Sequence, residues 1–154
     1  MTVRYFDDFA VGDRFVTAAK TVTESEILRF AFEFDPQPFH IDAAAAAETP
    51  FGGLIASGFH TLSLSMSLFF RLRLLERPNL GSPGIDEIRW LQPLRPDDTI
   101  HQVAEVIDLK RSKSKPDRGV IWMRHDTLNQ QNEMIMQLRC MHMLRRRTGA
   151  PDQA

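Results

Sequence analysis

The sequence has almost nothing with which to build a disulfide: Cys140 is its single cysteine. No intramolecular bridge can form, so nothing points to an oxidising compartment. Its neighbours Arg139 and Met141 read as an ordinary strand, and Cys140 is expected to be structural. An excess of either charge is also missing. Nineteen Lys and Arg stand against twenty Asp and Glu, for a formal net charge of −1. That balance omits the basic footprint of a nucleic-acid binder. No apolar run is long enough to span a membrane. The most apolar segment, 59–75, is interrupted by Ser63, Ser65, Ser67, Arg71 and Arg73. The opening residues carry no signal-peptide stretch, and we expect a cytoplasmic protein. Internal repeats and low-complexity linkers are absent. So is the Gly-x-Ser-x-Gly elbow of a serine nucleophile.

What is present fits one globular domain. Hydrophobic residues make up 43% and charged residues 25% of 154, an ordinary mixture with enough chain to bury a sizeable core. We expect a single domain over 1–154, with its core at 6–146 and a short polar C-terminal tail.

The two halves differ in texture. Residues 15–22 suggest a first strand. Thr23 and Glu26 have capping-box spacing, and Ile27, Phe30, Ala31 and Phe34 follow at helical intervals. Pro36 and Pro38 end that helix, because residues before proline avoid helical geometry. Asp42 is placed to cap the alanine run 43–47. Gly52 and Gly53 lead to a long helix over 57–75, with Ser57 as its cap. Its apolar residues lie on several faces, so we expect it to be buried on most sides. Pro78, Gly81, Pro83 and Gly84 mark a loop. Four strands are then expected, over 85–91, 99–110, 119–128 and 134–145. Met134, Met136, Leu138, Cys140 and His142 share one face of the last. Twelve-residue strands reach roughly 40 Å and imply a bent sheet. A long apolar helix needs a sheet to wrap it, which gives a two-layer α+β domain.

The most chemical stretch is Phe34-Asp35-Pro36-Gln37-Pro38-Phe39-His40. A carboxylate and an imidazole on one proline-stiffened turn can share a water molecule. The glycine-led helix start at Gly58 can offer an N–H to a developing oxyanion, since helix N-termini carry unsatisfied donors. The same residues have plainer uses. An aspartate before Pro-x-Pro is a common helix stop, and a histidine in a turn is often structural. His60 is expected to serve helix packing. Asp35, His40 and Asp42 would suit a divalent ion, but no fourth ligand stands beside them and no metal is expected.

This region resembles the MaoC-type family of (R)-specific enoyl-CoA hydratases and dehydratases, which have the hotdog fold. The family's Asp-x-Asn-Pro-apolar-His signature is similar to residues 35–40, with Gln37 where asparagine is usual and Phe34 where glycine often precedes the aspartate. Residues 42–47 and 51–58 resemble the family's alanine-rich segment and its Phe-Gly-Gly-x-Ile-Ala-x-Gly approach. Residues 9–13, 22–24, 85–90 and 93–98 also look familial, so the likeness runs to about Met143. Met66 stands near a position that carries serine in some hydratases. The resemblance implies a long central helix wrapped by a curved antiparallel sheet. It implies reversible hydration of a 2-enoyl-CoA to a 3-hydroxyacyl-CoA, with Asp35 and His40 catalytic and Gly58 polarising the thioester. It implies a homodimer or higher homo-oligomer, an acyl-CoA thioester as partner and no prosthetic group beyond the coenzyme A of the substrate. Neither nucleic acid nor membrane is an expected partner. A hotdog thioesterase and a non-catalytic acyl-CoA-binding protein are the alternatives.

Substrate contacts are expected from Phe39, Ile55, Ala56 and Ser57, with Phe51, Met66 and Phe69 as further candidates for the acyl pocket. The densest basic run, 110–119, lies between two expected strands. It reads as a solvated hairpin tip. It also offers Lys113, Lys115 and Arg118 to coenzyme A phosphates. Arg145, Arg146 and Arg147 read as a solvated tail.

Overall fold

The computed structural model describes residues 3–147 and Gly149. In chain order the elements are β1 (Arg14–Val16), β2 (Lys20–Thr21), α1 (Glu24–Phe34), α2 (Pro38–Ile41), α3 (Ala43–Ala47), α4 (Gly58–Phe70), β3 (Ile85–Trp90), β4 (Thr99–Arg111), β5 (Arg118–Leu128) and β6 (Met134–Arg145). A short 3₁₀ turn, Phe6–Asp8, precedes them. The sheet runs β1-β4-β5-β6-β3, with β2 also paired to β4, and every pairing is antiparallel.

This is the hotdog architecture: one sheet curved around one central helix. The curvature has local causes. Register shifts interrupt β4 between Val106 and Asp108, and β5 against β6 between Thr127 and Leu128. Such bulges bend a strand and increase its twist. The inner face buries Ile100, Ala104 and Val106 of β4, Ile121 and Met123 of β5, and Met136, Leu138 and Leu144 of β6. Two apolar clusters form along α4, one around Val22, Leu94 and Met136, the other around Phe15, Phe69 and Leu74. Met66 packs against both.

The expected first strand is two strands. Val16 lies opposite Val103 and Lys20 opposite Ile100, so four residues span what three span on β4. Between them the Thr17 hydroxyl accepts from the N–H of Gln102 at 2.9 Å and replaces a ladder carbonyl. The long helix is shorter than its hydropathy suggests. It ends at Phe70. Arg73 then takes a left-handed φ of 59°, and Leu74 and Leu75 turn back into the core. Nor is it buried all round: Phe59 is 60% exposed and Phe70 47%. Of the arginines expected as a solvated tail, Arg145 and Arg147 are exposed and Arg146 is docked. Arg146 pairs with Asp7 and Arg147 with Asp8, at 2.9 and 2.7 Å. Among the described residues no helix is long and apolar enough to cross a membrane.

Helix α1 matters because it delivers the chain to Asp35. Its expected capping box is present: Glu26 N–H donates to Thr23 Oγ1, and Thr23 N–H donates to Glu26 Oε2. Lys20 also donates to Glu26 at 2.7 Å. That bond, then the Thr23 backbone, holds the Glu26 carboxyl down at about 2. A carboxyl lowered on folding stabilises above its unfolded value and loses that contribution as pH falls through the folded one. Thr23→Ala is therefore expected to cost about 1 kcal/mol in urea unfolding at pH 7. Glu26→Gln is expected to flatten the acid dependence of stability between about pH 4.5 and 2. A Glu26→Gln protein with an unaltered profile in that window would contradict the assignment.

Candidate active site

Asp35 and His40 lie side by side. Asp35 is the C-cap of α1, and His40 sits in the single turn of α2. Gln37 takes extended geometry, and Pro38 occupies the first helical position, where its missing N–H costs nothing. The chain thus leaves one helix, makes a stiff corner and starts another turn within four residues. His40 Nε2 stands 3.5 Å from Asp35 Oδ2, with the two side chains 5% and 15% exposed.

The other ring nitrogen fixes which face of His40 carries the lone pair. Nδ1 lies 2.8 Å from the carbonyl of Ile55. A carbonyl only accepts, so Nδ1 carries the hydrogen. In the neutral ring Nε2 then holds the lone pair, and it faces Asp35. The segment 54–56 is itself pinned. Ile55 N–H donates to Phe39 O and Ala56 N–H to Leu94 O. Arg95 donates to Phe51 O at 2.7 Å and anchors the Gly52–Gly53 turn, where Gly52 has a φ of 65°.

Asp35 is held by two donors. Ser57 Oγ–H donates to Oδ2 at 2.6 Å, and Gln37 Nε2 donates to Oδ1 at 2.8 Å. Both favour the ionised form. The Ser57 hydroxyl first, then Gln37, hold this carboxyl below the usual carboxylate range, against the opposing effect of burial. Ser57 is also the N-cap of α4, accepting from Phe59 N–H at 3.2 Å. Its one hydroxyl proton goes to Asp35 while its oxygen caps the helix.

Gly58 opens α4, so its N–H has no acceptor within the helix. The Trp90 indole lies against it, and Trp90 Nε1 donates to Gly58 O at 2.9 Å. A Cβ at Gly58 would stand 2.7 Å from Trp90 Cε2. Glycine is required here by close approach.

These groups share a cavity of about 500 Å³, lined by Asp35, His40 and Gly58 on one side and by Phe39, Phe51 and Trp90 among its apolar residues. Ile55 and Ala56 line it as expected. Ser57 does not; it is fully buried and acts through Asp35. Met66 and Phe69 point into the core instead, because α4 turns that face to the sheet. Lys113, Lys115 and Arg118 line a separate cleft at the β4–β5 hairpin, with Arg118 paired to Asp117 at 2.9 Å. His60 stacks on Phe30, with ring centroids 4.6 Å apart, in keeping with a packing role. Trp90, Leu91, Gln92 and Thr61 are lining residues that sequence reasoning missed. For Trp90 the signal was its place at the end of an expected strand beside Pro93.

Two outcomes test this geometry. Ser57→Ala removes the largest influence lowering Asp35, so its carboxyl is expected to move up toward the usual carboxylate range in a carbon-detected NMR titration. Gly58→Ala is expected to displace the indole or the helix start and cost about 1–3 kcal/mol in urea unfolding. Trp90→Gly should restore part of that loss, and a double-mutant cycle with strictly additive effects would rule out the contact.

Comparison with known proteins agrees with this arrangement. The family model described as "MaoC like domain" matches residues 8–127. The chain is similar to the crystal structure of a MaoC-like dehydratase from Rhodospirillum rubrum, at 40% identity and a TM-score of 0.85, covering 94% of this chain and 99% of that one. It is 30% identical over 131 residues to the uncharacterized protein YdeM of Bacillus subtilis, 85% of this chain and 92% of that protein. It is 32% identical over 111 residues to a 3-hydroxybutyryl-CoA dehydratase of Methylorubrum extorquens, 71% of this chain and 68% of that protein. With its Asp/His turn, its glycine-led central helix and a model match over most of its length, the chain belongs to the MaoC-like domain family.

Proposed function

We propose that this protein reversibly hydrates a 2-enoyl-CoA thioester to a 3-hydroxyacyl-CoA. The observation that carries the reading is the Asp35–His40 pair, 3.5 Å apart at the wall of an apolar cavity that also exposes the first residue of α4. The dehydratase names of the Rhodospirillum and Methylorubrum proteins support it.

Hydration needs a base for water, a proton for C2 and a donor for the thioester oxygen. His40 Nε2 holds a lone pair in the neutral ring and takes a proton from water. The Asp35 carboxylate, kept ionised by Ser57 and Gln37, orients that water and stabilises the imidazolium. The hydroxide oxygen bonds to C3. The C2–C3 π electrons shift toward C1, and charge grows on the thioester oxygen. The Gly58 N–H at the helix start meets that charge, a donor worth on the order of 3 kcal/mol in the transition state. The imidazolium then gives its proton to C2, and charge returns from oxygen. Water adds as one hydroxyl and one proton, and no other reactant is consumed.

The acyl-CoA substrate and a homodimer belong to the same reading. β3 is a free sheet edge, and Trp90, Leu91, Phe59 and Phe34 are between 46% and 63% exposed around it and on the adjoining helices. An open edge with apolar flanks is stabilised by a second copy.

His40→Ala and Asp35→Asn proteins, with unfolding transitions like the wild type, are expected to lose at least about 100-fold in crotonyl-CoA hydration followed by loss of enoyl absorbance. Wild-type turnover in either variant would refute the assignment. Release of free thiol from saturated acyl-CoA, without hydration of any enoyl-CoA, would instead identify a thioesterase.

A further inference from the structure

The inner face of the sheet carries a second group of reactive side chains that the Asp35–His40 site does not use. His125 of β5 and Cys140 and His142 of β6 are 0%, 3% and 2% exposed. None of them lines the active-site cavity. Cys140 Sγ lies 3.3 Å from His142 Nε2, and His142 Nε2 lies 3.5 Å from His125 Nε2. All three donor atoms fall within 4.8 Å of one another.

The hydrogen bonds around the group decide where its lone pairs point. Gln102 Nε2 donates to the Ser65 carbonyl at 3.2 Å and to the Ser65 hydroxyl. Because a carbonyl can only accept, that amide cannot be flipped. Gln102 Oε1 therefore faces His125 Nδ1, 3.1 Å away, and His125 Nδ1 must carry the hydrogen. The lone pair of His125 is left on Nε2, directed at His142 and Cys140. An oxygen acceptor behind the distal nitrogen is the arrangement that orients metal-bound histidines.

The group is enclosed and offers three protein donors, the trigonal His₂Cys set of copper sites and one short of the four of a structural zinc site. Phe69 of α4 covers the pair, its ring 4.8 Å from that of His125 and 5.5 Å from that of His142. Two of the separations, 3.3 and 3.5 Å, are close to those of neighbouring ligands around an ion bonded at about 2.0–2.1 Å to nitrogen and 2.3 Å to sulfur; the third pair, His125 Nε2 and Cys140 Sγ, lies within 4.8 Å and closes up when the ion enters.

We propose that His125, Cys140 and His142 form a buried structural site for a thiophilic d¹⁰ metal ion, Zn²⁺ or Cu⁺. Thiolate and imidazole donors select these ions over the hard cations that prefer oxygen. Binding replaces the S–H bond of Cys140 with an S–metal bond and releases one proton to solvent. The ion clamps β5 to β6 beneath α4, and its binding energy adds to folding.

The test uses the full chain, reduced and stripped of metal, with Co²⁺ as spectroscopic stand-in for Zn²⁺ in one arm and Cu⁺ competed against bicinchoninate in the other. Ions are added both to native protein and during refolding, because the site is dry. One equivalent is expected to bind in at least one arm, with release of one proton and a rise in Tm of more than about 5 °C. In the cobalt arm a thiolate-to-metal charge-transfer band reports Cys140 directly, since the chain has no other cysteine. Cys140→Ser and His142→Gln are each expected to abolish stoichiometric binding, while Asp35→Asn retains it. Absence of stoichiometric binding in both arms overturns the proposal. So does binding that Cys140→Ser leaves intact. Should a variant fail to fold, the wild-type stoichiometry and charge-transfer band still decide the matter.

Discussion

A single hydroxyl joins the two helices that border the Asp35–His40 cavity. Ser57 Oγ caps α4 and gives its proton to Asp35, the last residue of the α1 turn. Without it the carboxylate would have one side-chain donor among the described residues, Gln37, and the end of α1 would lose its hydrogen bond to the start of α4. The bond also sets charge. The Ser57 and Gln37 donors hold Asp35 toward its ionised form although its side chain is mostly buried. The Ile55 carbonyl completes the arrangement by holding Nδ1–H, so one backbone oxygen and one side-chain oxygen define the geometry of both reactive groups.

Much of this was readable before any coordinates. The capping box at Thr23 and Glu26, the proline stop, the Asp42 cap and the four long strands all follow from local chemistry, and local chemistry is what a sequence displays. Asp35 and His40 were legible because two prolines keep them near each other whatever the rest of the chain does. Ser57 was legible as a cap and not as a partner of Asp35, since that contact joins residues 22 positions apart. Trp90 against Gly58 is 32 apart and was invisible for the same reason. The end of α4 was misjudged because Leu72, Leu74 and Leu75 continue its hydropathy. Only the tertiary turn at Arg73 shows that they enter the core from another direction.

The central helix is unusual in what it buries. Its inward residues include His60, Thr61 and Ser65 alongside Leu68 and Phe69. Those hydroxyls reach partners: Thr61 Oγ1 donates to Ser57 O, and Ser65 Oγ is bonded to Thr127 Oγ1 at 2.7 Å. A buried polar group left alone would cost about 1–3 kcal/mol, so the contacts of Ser65 with Thr127 and Gln102 fix the helix in one rotation and one depth against the sheet, while the Thr61–Ser57 bond stays within the helix start. The apolar residues hold α4 in place, and the polar ones determine which place it is.

Trp90 gives the edge of the sheet a hold on the chemistry. Its ring leans on Gly58 from β3, the strand at the margin of the sheet. Any chain that extends the sheet there pushes or braces the strand bearing this indole, and through it the amide at the start of α4. One aromatic ring thereby couples the margin of the sheet to the aim of a backbone amide at the cavity wall.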